Sequence, residues 1–146
     1  MSLITGMFAK GVLQAVERSV QFSAARHRVL THNIANLSTP YFKPRDLDPA
    51  GFQKTLADAI DRRRRLPNPV SGRLNVRDTR ELRFDAHGLR GAPQRTNDNI
   101  LFHDQNNRDL DRMMQRLAEN TLAHNTGVEL ARNQFDMLRL AIRERI

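Results

Sequence analysis

The sequence predicts an all-α protein: long N- and C-terminal helices pairing as an antiparallel coiled-coil hairpin, a short middle helix, and a loop-rich or weakly β middle segment. Three observations carry this expectation. Apolar residues at both ends recur in steps of three and four, which is the helical period. All six prolines fall between residues 40 and 93, so the ends are left unbroken. Hydrophobic residues make up 39% and aromatic residues 5%, with no Trp, a balance that suits narrow apolar seams better than a large core.

The 146 residues are enough for one ordinary domain. We divide it into a flexible segment 1–10, a long helix within 11–38, a turn and short helix in 39–65, a loop-rich middle 66–105 and a second long helix in 106–146. The two helical ends together form the one domain. Residues 1–10 are poor helix formers because Gly6 and Gly11 weaken any early turn.

From Val12 the pattern is regular. Leu13, Val16, Val20, Ser23, His27, Leu30, Ile34 and Leu37 form one seam. A more mixed stripe runs beside it: Phe22, Arg26, Val29, Asn33 and Asn36. At 1.5 Å per residue the helix is on the order of 39 Å long. Pro40 fixes its own φ and pushes Thr39 out of the α region, so the helix should stop near Leu37 or Ser38. Ending on two spaced amides, Asn33 and Asn36, it should offer hydrogen-bonding groups sideways.

Asp48-Pro49 reads as a helix start, with Asp as N-cap and Pro in first position. Phe52, Leu56 and Ile60 line one face of that helix. Arg62 to Arg65 close it, where cations complement the helix dipole. The functional alternative for this run is a phosphate-binding patch, but no aromatic residues interleave with it for base stacking. Pro67, Pro69, Gly72, Gly88, Gly91 and Pro93 then break the chain. Leu74 with Val76, and Leu82 with Phe84, alternate weakly, as in a small ribbon. The segment as a whole reads as loop that orders in an assembly.

The last helix has Asn106 or Asn107 as N-cap and Asp109 and Asp111 in its first turn. Its seam is Leu110, Met114, Leu117, Thr121, His124, Val128, Ala131, Phe135, Leu138 and Ile142. A second stripe holds Met113, Asn120, Ala123, Gly127, Leu130, Gln134, Met137 and Ala141. Gly127, costly in a helix interior by up to about 1 kcal/mol, marks a close approach or a bend.

Paired along their seams, the two long helices satisfy one stripe each. The second stripes, with Phe22, Val29, Asn33, Asn36, Asn120, Leu130 and Met137, are then expected on neighbouring subunits, since contiguous exposed apolar surface marks interaction sites. Head-to-tail contacts of that kind build rings or filaments. The alternative is a monomeric bundle in which residues 50–65 cover the second stripes.

Several functions are excluded or set second. Without cysteine there is no disulfide or thiolate site. No run reaches the ~20 apolar residues of a membrane span, and Met1 to Gln14 lacks the basic start and apolar stretch of a secretory signal. Of the histidines, His27 and His32 do not share a helical face, while His27 and His124 lie on seams and could meet as core imidazoles; His87 and His103 fall in the middle. No catalytic, cofactor-binding or metal-ligating constellation is expected. The net charge of +8 makes a basic nucleic-acid-binding protein, using Arg62 to Arg65, the alternative function.

Asn33-Ile34-Ala35-Asn36, two residues, then Thr39-Pro40 resembles the signature of bacterial flagellar rod and hook proteins. The continuation through Arg45, Asp46 and Asp48 resembles the proximal rod protein family in particular. Asn106, Asp109, Asp111 and Leu117 to Asn120 are similar to that family's second block. The resemblance implies a structural, non-enzymatic part of the periplasm-crossing drive shaft. It implies as partners further copies, other rod proteins, the base-ring adaptor and the export gate. It also implies export through the flagellum's own channel without a cleaved signal, no cofactor and no small-molecule substrate. The family usually has Gly where Tyr41 stands, an apolar residue at Arg108 and an acidic one at Met113. A bulky Tyr41 disfavours positive φ, so a differently built turn is expected after Pro40.

Overall fold

A computed structural model describes residues 10–66, 74–85, 88–95 and 109–143. The expectations for residues 1–9, for His87 and His103 and for Asn106, Asn107 and Arg108 lie outside them. Two long helices, α1 (Lys10–Ala35) and α3 (Leu110–Arg143), lie against each other. Between them in sequence come β1 (Arg45–Asp46), α2 (Pro49–Arg64), β2 (Leu82–Asp85), β3 (Gly88–Gly91) and β4 (Gln94–Arg95).

The chain is mostly helical, and the all-α expectation needs one correction: the middle builds two small antiparallel sheets. β2 pairs with β3, setting Arg83 opposite Arg90 and Phe84 opposite Leu89. β1 pairs with β4, Arg45 opposite Arg95, a contact with no local sequence signal. Two-residue strands are not stable alone. They hold here because the same segments feed the core.

That core sits on one side of α1. Phe22, Leu47, Phe52, Leu56, Ala59, Leu74, Val76 and Leu82 are buried together, with Val29, Phe84 and Leu89 packed against them. Phe22 stacks flat on Phe52, ring centroids 4.2 Å apart and planes 3° from parallel. Gln14 on α1 accepts from the Leu74 N–H at 2.6 Å and from the Arg63 guanidinium at 3.2 Å, which ties the middle segment to the helix. So the described part of 66–105 packs on the chain's own core.

α2 begins where the Asp-Pro pair predicts. Asp48 is the N-cap, and its Oδ1 accepts from the Ala50 N–H at 2.9 Å. The Arg62 to Arg65 run does not form a single cationic face. Arg63 is buried, Arg62 donates to the Asn75 carbonyl at 3.3 Å, and Arg64 lies 3.7 Å from Asp61.

Phe22 was expected on the subunit-contact stripe. It is instead an internal core residue, because α2 lies over that side of α1. The Phe22–Phe52 stack is therefore predicted to hold the middle segment on the helix. Phe52→Ala should lower unfolding free energy by about 3–5 kcal/mol in chemical denaturation. A loss below about 1 kcal/mol would show that the core does not depend on this stack.

Candidate assembly site

Two features stand out: the turn after α1, and the way α1 and α3 meet. The turn comes first in the chain. Asn36 closes α1 by folding its side-chain amide back onto the His32 carbonyl, 2.9 Å away. Asn36 N, Leu37 N and Thr39 N then bond three residues back, to Asn33, Ile34 and Asn36. The Phe42 N–H reaches the Thr39 carbonyl at 3.3 Å, closing a four-residue turn with Pro40 second and Tyr41 third. Pro second with positive φ third is the type II pattern. Tyr41 adopts it, with φ of 61°. This corrects the expectation drawn from its bulk. The turn demands the left-handed region there, and the ring escapes crowding by standing 77% exposed. The conformation costs roughly 1–2 kcal/mol for a residue other than glycine.

Beyond the turn, the chain is clamped back onto α1. Asn33, buried, works like a short piece of strand. Its Nδ2 donates to the Arg45 carbonyl at 2.6 Å, and its Oδ1 accepts from the Arg45 N–H at 3.2 Å. Arg26, two turns earlier on the same face, makes a bidentate pair with Asp46 at 2.8 and 2.7 Å. The side chains of that pair are 11% and 14% exposed. The planar guanidinium matches the carboxylate, and little water remains to weaken the pair. Leu47, next in line, is 1% exposed in the core. So Asn33 and Asn36 are both spent within the protomer.

The helix pair has its own polar centre. Asn120 Nδ2 donates to the Ser23 carbonyl at 2.9 Å, and His124 Nδ1 lies 2.9 Å from Ser23 Oγ. Where Gly127 passes α1, a Cβ would stand 2.9 Å from Val20 Cγ2, so the glycine marks a close approach. The buried residues of α3 are Met113, Asn120 and Gly127, each seven apart. All three belong to the second stripe. Small and amide residues let the helices close, and α3 rotates its larger side chains outward.

This arrangement corrects several seam expectations. His27 is exposed and does not meet His124. Leu110, Met114, Phe135 and Ile142 are exposed, while Asn120, expected on a neighbour, is buried. Val20 and Leu30 on α1, and Leu117, His124, Val128 and Leu138 on α3, are buried or half-buried, as are Leu13, Val16 and Ile34. With Ser23 between Asn120 and His124, Phe135 lies about level with Lys10. α3 then runs on past the described start of α1 by about eight residues, ~12 Å.

Leu122, Leu130, Phe135, Leu140 and Ile142 remain between 49% and 70% exposed. Ala15, Val16 and Ser19 of α1 and Leu122, Ala123 and Leu130 of α3 border an apolar groove of about 560 Å³. Among the described residues no group of three or more His, Cys, Asp or Glu could hold a metal. No described helix is long and apolar enough to cross a membrane.

A double-mutant cycle of Arg26→Met and Asp46→Asn should return a coupling of about 2 kcal/mol, toward the upper part of the range for contacting residues. Additive single effects would mean that the pair does not hold β1 on α1. Asn33→Ala should cost about 1–3 kcal/mol through the stranded Arg45 amide and carbonyl, read by thermal and urea unfolding.

No protein-family model matches the chain. Two curated relatives do. The flagellar basal body rod protein FlgB of Bacillus subtilis (strain 168) is 25% identical over 134 residues, covering 90% of this chain and 93% of the relative. The flagellar basal body rod protein FlgB of Cereibacter sphaeroides is 32% identical over 120 residues, covering 81% of this chain and 83% of the relative. Near full-length likeness on both sides, with the Asn33–Pro40 turn and the paired end helices in place, fixes the assignment: the chain belongs to the FlgB family of flagellar basal body rod proteins.

Proposed function

We propose that this protein is a structural subunit of the flagellar basal-body rod, built into the shaft through its two terminal helices and transmitting torque without chemical turnover. One observation supports the assembly route above the others: the apolar side chains that α3 leaves outside. Leu130, Phe135, Leu140 and Ile142 stand exposed among Arg132, Asp136 and Arg139. Large apolar groups gathered on an exposed surface mark an interaction site. The nearby groove between α1 and α3 offers a complementary seat, since helices dock into apolar grooves by such anchors.

On this reading the subunit contacts are Leu130 and Met137 of the expected set, joined by Leu122, Phe135, Leu140 and Ile142. Val29, half-buried in the protomer, contributes an edge. Phe22, Asn33, Asn36 and Asn120 do not, because they are used internally. The helix pair acts as an antiparallel coiled-coil hairpin whose two ends form one axial domain. The motif residues Ile34, Ala35, Thr39 and Pro40 shape its turn, while Arg45, Asp46 and Asp48 anchor the chain behind it. Asp109 caps α3, accepting from the Arg112 N–H at 3.0 Å, with Asp111 beside it in the first turn.

Partners in this reading are further copies, other rod proteins, the base-ring adaptor and the export gate. Export proceeds without a cleaved signal. A shaft of this kind resists torsion because each subunit is gripped along two rigid helices. No step requires a cofactor or substrate.

The test is complementation of a strain lacking this gene. Leu130→Gln, Phe135→Gln and Leu140→Gln combined replace exposed groups, so the isolated fold should change by no more than about 0.5 kcal/mol per site. Rod assembly and swimming should nevertheless be lost. Full motility with the triple variant would refute the assembly route. Intact rods in a strain lacking the protein altogether would refute the rod assignment itself.

A further inference from the structure

A second surface lies at the other end of α1, away from the exposed end of α3. Arg28 from α1, Lys43 from the segment after the turn, Arg45 from β1 and Arg95 from β4 line a cleft of about 800 Å³. His32 adds a fifth basic side chain, and no Asp or Glu among the described residues lines the cleft. The guanidinium groups of Arg26, Arg64, Arg90, Arg112 and Arg139 all face carboxylates. The four cations of the cleft have no such partner among the described residues. The β1–β4 pairing, which sets Arg45 opposite Arg95, holds two of them side by side against their repulsion.

The cleft is not merely charged. Val29, Phe42 and Pro93 contribute apolar wall. Tyr41, also lining it, holds its left-handed φ of 61° while its ring stands in water. Backbone strain held at an open ligand-sized cleft is a feature of binding sites.

We propose that this cleft docks an acidic peptide segment of a different protein chain, its carboxylates meeting Arg28, Lys43, Arg45 and Arg95 and an apolar side chain lying between Val29 and Phe42 beside the Tyr41 ring. Charge complementarity selects that occupant. Another copy of this chain suits it less, because Asp61, Asp85, Asp109 and Asp136 already face arginines of their own chain. Phosphate suits the site less well. Phosphate cradles are built from converging backbone N–H groups, and here Phe42 N and Arg45 N are already given to Thr39 and Asn33. The cations come from three separate elements, which fits an extended ligand. This inference goes beyond the rod reading and does not depend on the exposed face of α3.

The experiment uses the full chain and a fluorescein-labelled peptide of alternating glutamate and phenylalanine, read by anisotropy. Binding should weaken several-fold between ~50 and ~200 mM salt. The glutamine counterpart of the peptide should not bind. Arg28→Glu with Arg95→Glu should weaken binding by roughly tenfold or more. Arg77→Glu with Arg80→Glu makes the same change in net charge at exposed sites elsewhere, and should leave binding within about twofold. Tyr41→Gly should melt no lower than the parent chain, since the strain is relieved, yet bind the peptide several-fold more weakly. Equal losses from the two double variants would overturn the proposal in favour of unspecific charge attraction. Displacement of the peptide by inorganic phosphate or by a single-stranded oligonucleotide would overturn it in favour of a phosphate site. Peptide binding that grows weaker as the chain self-associates through this cleft would overturn it in favour of a second copy.

Discussion

The fold depends on how the chain is returned to α1 after the Pro40 turn. Asn33 takes both backbone groups of Arg45, and Arg26 takes both oxygens of Asp46. These bonds fix where Leu47 enters the core and where Asp48 can cap α2. α2 then carries Phe52 onto Phe22. Each later contact uses the position set by the earlier one. Removing one member of a nearly dry ion pair also leaves the other charged and unpaired, which costs more than the pair itself contributes. The amide and the ion pair therefore give the turn one location on the helix.

The consequence is a division of labour along α1. One side is covered by α2 and the middle segment, the other by α3. The core side is apolar and aromatic. The α3 side is narrow, polar at Ser23, Asn120 and His124, and close at Val20 and Gly127. A seam of small and amide residues buries little oily surface, so α3 keeps much of its own outside. In the proposed rod, that leftover surface is where the protomer meets its neighbours. Most of the surplus belongs to α3, because α2 covers most of the share on α1.

Much of the architecture was legible in the residues. The unbroken three-and-four spacing at both ends foretold two long helices. Pro40 and Asp48-Pro49 placed the boundaries of the first two. What escaped was the rotation of α3. Leu110, Met114 and Phe135 outrank Asn120 and Gly127 on any scale of oiliness, so a reading by hydrophobicity missed that the contact is centred on Met113, Asn120 and Gly127, with Leu117, His124, Val128 and Leu138 half-buried beside it. Helix packing is decided by shape as well, and Gly127 against Val20 was the clue. The Asn33–Arg45 and Arg26–Asp46 contacts bridge twelve and twenty residues, and nothing in the local pattern announces them. Tyr41 illustrates a third limit. Its own preference spoke against positive φ, but the hydrogen bond between Thr39 and Phe42 set the turn, and the side chain complied.

The central claim is that the exposed end of α3 is completed by neighbouring subunits. The chain contains no cysteine, so one can be introduced as a unique reporter. Maleimide labelling of Leu140→Cys should be rapid in the free protein and strongly suppressed in purified basal bodies, while Arg80→Cys labels in both. Equal labelling of Leu140→Cys in the free and assembled states would contradict the account.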